Sequence, residues 1–367
     1  MKILQGHTVQ TLQYRKGLPE NCLEASPRWA IGKALAEIGY REKLRMPASI
    51  PNHDTVIIGV KKEGVSPDLI QKVLSFTRKP DTPICLVHAV EEKLKFPSLY
   101  REILGSFDIT ELGRQLPEAH ERAARKQIES LKDQLEHPEQ VRIQIVHSED
   151  AAASLITEAQ LTRAAMIAIE IHEHLYQLIP RGLSVALSLL QHSPMPLLIL
   201  RQGSPNRFDK KEQLILLADD LTASSLSAVR KAMNLAVQWG HTRVIHLHVI
   251  EQNMHGVLTE LAEISKKVDV GPMGMPELIE YLEHNMEKAL QRRTQEYQEA
   301  LKEVGSSYET IVQVGHVANR VTAMIRERKP DLTVFGRRHR LHHGPLGFGR
   351  VPFAAMLANS DAVLIVP

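Results

Sequence analysis

Short apolar or alternating runs follow one another along this chain, separated by longer segments in which apolar residues return every three or four positions. Residues 55–60, 83–90, 141–146, 166–169 and 197–200 form five such runs, and residues 214–218, 244–250, 308–314, 332–335 and 362–366 form five more. Runs of this length, mostly without polar interruption, predict strands covered on both faces. The spacing between them predicts helices over residues 67–76, 110–136, 151–161, 224–237, 276–304, 317–328 and 352–357. A strand, helix, strand order returns the chain to the same edge of a sheet, so the strands are parallel.

The two sets of runs repeat one another. The offset is about 160 residues through the second strands, where 86–91 aligns with 247–251, and 166 through the fourth and fifth. A constant order at a near-constant offset is the signature of tandem duplication. The fold predicted is α/β: two doubly wound, Rossmann-like five-stranded parallel sheets in tandem. Residues 201–207 are polar, with glycine and proline, and read as a linker. The division is then 1–52, an N-terminal extension; 53–203, the first domain; and 204–367, the second. Within the extension, Ser26-Pro27 is an N-cap and first-turn pair ahead of one short helix over residues 28–38.

A chain of 367 residues, 43% hydrophobic, has ample material for two cores. Its net charge of +2 argues against a nucleic-acid coat, and basic helical segments such as 122–132 interleave acidic residues throughout. No run is long enough to span a bilayer and the start has no secretory core, so the expectation is a cytoplasmic protein without membrane insertion. Two cysteines, Cys22 and Cys85, make neither a disulfide framework nor a zinc cage, and read as reduced thiols.

Chemistry concentrates in the loop after the strand 332–335. Gly336 and Gly349 bracket a segment rich in arginine and histidine that also holds Gly347, and a helix follows. Glycines let backbone N–H groups approach an anion, and a helix N-terminus adds partial positive charge. His339, His342 and His343 in this loop, and His172 and His174 in its counterpart, lack the thiolates or fourth ligand of a structural zinc site. His88 and His248 read as satisfied strand histidines. Neither a Gly-x-Ser-x-Gly elbow nor a lysine-bearing phosphate loop occurs. Paired carboxylates such as Asp219-Asp220 and Glu149-Asp150 point apart on a strand end, and Asp219 also suits a turn or helix cap.

Repetition of five strands with interposed helices, ending in this loop, resembles the universal stress protein family in its tandem form, over residues 53 to 367. Nucleotide-binding members carry an aspartate ending the first strand, a glycine after the third, and Gly-x2-Gly-x9-Gly-Ser/Thr after the fourth. Here Asp219, Gly315 after Val314, Gly336 and Gly349 match, while His339 and Arg350 replace the middle glycine and the hydroxyl residue. The first copy departs further, with Lys61 in the aspartate's place and Glu170 opening its post-strand-four loop. The resemblance implies a sheet of the adenine-nucleotide-binding type and a non-enzymatic stress-response protein. Its second domain would sense a nucleotide or anion through Asp219, Val314, Gly315, Gly336, Arg337, His339, Gly347, Gly349 and Arg350, and its first would be degenerate. The ligand implied is ATP or another adenine nucleotide with Mg, or none. Two alternatives are an ATP-hydrolysing or phosphoryl-transferring enzyme with Mg on Asp219, and a pure interaction scaffold. The resemblance also implies that the fifth strands pair within the chain, and it leaves a homodimer or a regulatory protein as further partners.

Overall fold

A computed structural model describes residues 55–61, 66–79, 81–90, 109–135, 137–148, 150–171, 183–251, 275–337, 350–357 and 360–367. The extension, with its predicted helix at 28–38 and Cys22, lies outside the described residues, as do all five loop histidines.

The first half runs β1 (Val56–Val60), α1 (Pro67–Thr77), β2 (Ile84–Val90), α2 (Ile109–Lys132), β3 (Val141–His147), α3 (Ala151–Leu161), β4 (Met166–Ile171), α4 (Leu183–His192) and β5 (Leu197–Arg201). The second half repeats it as β6 (Gln213–Ala218), α5 (Leu226–Trp239), β7 (Thr242–Glu251), α6 (Met275–Thr294), α7 (Gln298–Glu303), β8 (Ser307–Gly315), α8 (Val317–Arg328), β9 (Leu332–Gly336), α9 (Arg350–Leu357) and β10 (Ala362–Val366). Both α1 and α3 begin on side-chain caps: Ser66 Oγ accepts from Leu69 N, and Asp150 Oδ1 accepts from Ala152 N and Ala153 N. The sequence did not predict α4. The predicted helix 276–304 is broken at Thr294, whose hydroxyl bonds back to the Leu290 and Gln291 carbonyls before a 3-10 turn at Gln295–Tyr297.

The ten strands among the described residues lie in one sheet, in the order β3-β2-β1-β4-β5-β10-β9-β6-β7-β8. Within each half every pair is parallel, and the halves join through the antiparallel pair β5 and β10, Leu200 opposite Ala362 and Leu197 opposite Ile365. The two sheets expected from the sequence are therefore halves of one. Pairing removes two apolar edges whose N–H and C=O groups would otherwise lack partners. Because the joint is antiparallel, the C-terminal strand ends of the two halves point to opposite rims of the sheet.

Helices cover both faces. Residues of α1, α2, α5 and α7 bury against one face in a core that crosses both halves, and residues of α3, α4, α8 and α9 do the same on the other. Strands covered on both sides read as continuous apolar runs for this reason. No helix among the described residues is long and apolar enough to cross a membrane.

Candidate functional site

In a doubly wound sheet, ligands bind beyond the C-terminal strand ends where the strand order reverses. In the second half that point lies between β6 and β9. Asp219, one residue past β6, is 3% exposed and its carboxylate is saturated with donors. His246 Nε2 lies 2.9 Å from Oδ2, Arg293 Nη1 donates to both oxygens at 3.0 and 3.1 Å, and Ser225 Oγ and Leu221 N donate to Oδ1 at 2.6 and 2.8 Å. Arg293, from the last turn of α6, also donates to Ser225 Oγ and the Thr222 carbonyl. Behind His246, its Nδ1 meets the Tyr308 hydroxyl of β8 at 2.8 Å. Burial pushes the Asp219 carboxyl up, but the His246 hydrogen bond and charge, the Arg293 guanidinium and the Ser225 hydroxyl outweigh it and bring the pKa down to about 2. Burial, with the Asp219 charge, holds the Tyr308 phenol above its ordinary range. Sequence reasoning missed His246, Arg293, Ser225 and Tyr308, since only the fold brings three strands and two helices to one carboxylate. The turn from Asp219 to Thr222 holds Leu221 at φ 59, a conformation that costs a branched side chain energy.

The other described positions are occupied from within. Gly315 has φ 151, and a Cβ there would lie 2.6 Å from Arg320 Nε, which donates to the Val314 carbonyl at 3.0 Å. At Gly336 a Cβ would meet Ser225 Cα at 2.9 Å, so this glycine lets β9 pass the turn that leads into α5. Arg337 sends Nη1 to the Ser193 carbonyl of the first half, its Nε is buried with no hydrogen-bond partner among the described residues, and burial lowers its pKa. Arg350 is the first residue of α9. His339, Gly347 and Gly349 lie outside the described residues.

The first half corrects one alignment. His88 Nδ1 contacts the Val60 carbonyl at 3.0 Å, and His248 Nδ1 contacts the Asp219 carbonyl at 2.8 Å. With Val56 beside Met166 and Ile215 beside Leu332, this places Val60, not Lys61, at the Asp219 position. An extra residue of register separates the two copies there. Lys61 instead corresponds to Asp220, and its Nζ lies 3.8 Å from Glu170. Glu170 belongs to β4 and matches Gly336 in register; it is 7% exposed and accepts from Ser66 Oγ at 3.2 Å. The carboxylate has thus moved from the end of the first strand to the end of the fourth, still against the equivalent serine. Contrary to expectation, His88 is not fully satisfied: its Nε2 is buried with no hydrogen-bond partner among the described residues. No group of three metal-ligating side chains able to hold an ion occurs among the described residues.

Magnesium does not fit at Asp219, because both oxygens are already committed to N–H and O–H donors and enclosed. A ribose or base contact to this carboxylate likewise needs Arg293 to withdraw. Arg320 and Arg337 supply anion-pairing chemistry beside the crevice.

Comparison with known proteins agrees with this architecture. A functionally unknown protein from Pseudomonas aeruginosa PAO1 superposes with a TM-score of 0.50 at 12% identity, over 86% of this chain and 93% of its own. A putative universal stress protein from P. aeruginosa UCBPP-PA14 gives 0.51 at 11% identity over 86% and 94%. A universal stress protein from Archaeoglobus fulgidus DSM 4304 gives 0.51 at 12% identity over 85% and 95%. At such identities the likeness is one of fold. No curated protein matches the chain. The sequence model of the universal stress protein family matches twice, over residues 52–201 and 213–366, in step with the two halves of the sheet, and the chain belongs to that family.

Proposed function

We propose that this chain is a non-enzymatic stress-response protein in which the second domain, 204–367, senses an adenine nucleotide or related anion while the first, 53–203, is a scaffold. The difference between the two strand-four exits carries this reading. In the second half the exit is Gly336 followed by Arg337, whereas in the first it is a buried glutamate held against Lys61, which repels an anion. Phosphate is then held by backbone N–H groups and arginine, without magnesium, as Asp219 has no oxygen to give.

Calorimetric titration with ATP, ADP and AMP tests the reading. A nucleotide site unaffected by EDTA, weakened about tenfold or more by Arg320→Glu, and accompanied by no hydrolysis of ATP with magnesium is expected. Enclosure of Asp219 favours a second reading, a scaffold without a small ligand. Absence of binding heat with all three nucleotides decides for it.

A further inference from the structure

A second cleft lies away from the strand-end crevice, where the C-terminal turns of α6 and the segment into α7 stand over the edge strand β8. Its volume is about 580 Å³, within the range of small-molecule sites. Lys288 and Arg292 form one wall, Tyr308 and Thr310 another, and glutamines, among them half-buried Gln298, complete it. The described residues that line the cleft include no carboxylate. Apart from Tyr308, whose hydroxyl is engaged with His246 and the Leu290 carbonyl, the lining side chains can donate hydrogen bonds and two carry positive charge, so the cleft complements a small anion.

The two cations are placed one helical turn apart, at i and i+4, on the same side of α6. Like charges so placed repel. Neither has an ion-pair partner among the described residues. An anion seated between them removes the repulsion, and a dianion can engage both at once. The cleft is also joined to the first crevice. Tyr308 contacts His246 and through it Asp219, and Arg292 is followed by Arg293, which turns to the other side of the helix and grips the same carboxylate.

We infer that this edge cleft is a binding site for a small polar dianion, a phosphate monoester or a dicarboxylate, held between Lys288 and Arg292 with the Thr310 hydroxyl and the glutamine amides beside it. The inference stands apart from nucleotide binding in the second domain.

The test is thermal unfolding of the full chain against inorganic phosphate and malonate at constant ionic strength, with sodium chloride and neutral malonamide as controls. A saturable rise in Tm with at least one dianion, and none with the controls, is expected; which dianion acts separates phosphate ester from dicarboxylate. The Lys288→Gln/Arg292→Gln and Lys288→Glu/Arg292→Glu variants change exposed side chains and should each weaken the apparent affinity at least tenfold. Arg320→Glu, at the other crevice, should leave it unchanged. Absence of a saturable shift with both dianions, retention of full affinity by the paired variants, or loss of affinity in Arg320→Glu overturns the inference.

Discussion

Asp219, expected from the sequence to contact a ligand, is part of the interior, 3% exposed. Removing its carboxylate takes away the counter-charge that lies 3.0 Å from the Arg293 guanidinium, 8% exposed in its side chain. Breaking a buried pair from one side costs about 3 kcal/mol or more. Asp219→Ala should therefore lower stability by that amount in urea denaturation, whether or not a nucleotide binds, and loss of binding in this variant alone does not identify a ligand contact. The pH dependence follows from the same contacts. With the folded pKa near 2 and an unfolded value near 3.8, the unfolded chain takes up protons first as pH falls. The contribution, about 2 kcal/mol from a shift of that size, is fully present above pH ~4 and is lost as pH drops through about 2. His248 acts in the same direction at higher pH: burial lowers its pKa despite the hydrogen bond to the Asp219 carbonyl, so its part of the stability falls below pH ~6.5. Denaturant midpoints measured from pH 7 to pH 2 should fall in both windows, and Asp219→Asn should flatten only the lower one. Cys85, whose thiol burial raises to about 11, should resist alkylation at pH 8 until the protein unfolds.

At the scale of elements, the turn leading into α5 and the end of β9 approach so closely that no Cβ fits between them. Gly336→Ala would set a methyl group 2.9 Å from the Ser225 Cα, a backbone contact that cannot yield by rotamer change. Overpacking of this kind costs about 1–3 kcal/mol, and since Ser225 also donates to Asp219 the shift should disturb that carboxylate. A destabilised Gly336→Ala together with a raised Asp219 pKa, measured by NMR titration, is the expected result. The sequence placed α3 and α8 on their observed bounds, because apolar spacing is regular in both and Asp150 caps the first turn of α3. It missed the break in the long helix before α7, because the Thr294 back-bond is a local competition that periodicity does not register. The one-residue misplacement of Lys61 has a related origin: the residue that separates the copies falls between the first and second strands, and only hydrogen-bond partners reveal the register.

Across the whole molecule, the two halves share both cores and a single sheet. Phe76 of the first half packs edge-on against Phe208 and Trp239 at 5.3 and 5.5 Å between ring centres, and Trp239 Nε1 donates to the Phe76 carbonyl at 2.9 Å. Lys72, 2% exposed, reaches Ser204 across the same seam while paired to Asp68. Shared burial of this extent makes unfolding of one half expose the other. Calorimetry should show one transition, not two, and Trp239→Ala should lower its midpoint through a loss of about 3–5 kcal/mol while keeping it single. Two resolved transitions would show independent halves.

Apolar period by itself determined the α/β class, the succession of strands and helices along the chain and their repetition, because those depend on which residues must leave water, and that is written locally; the family came from a resemblance that Asp219, Gly315 and the glycine loop carry. The family resemblance already implied that the fifth strands meet, and β5 and β10 do pair; tertiary structure decided that they pair antiparallel within one ten-stranded sheet, which sets the two crevices on opposite rims. It also decided that Asp219 is gripped by Arg293, 74 residues away, and that Glu170 lies buried against Lys61. Those outcomes turn on which charged groups share a buried space, and electrostatic pairing across long sequence separations leaves no periodic trace in the chain.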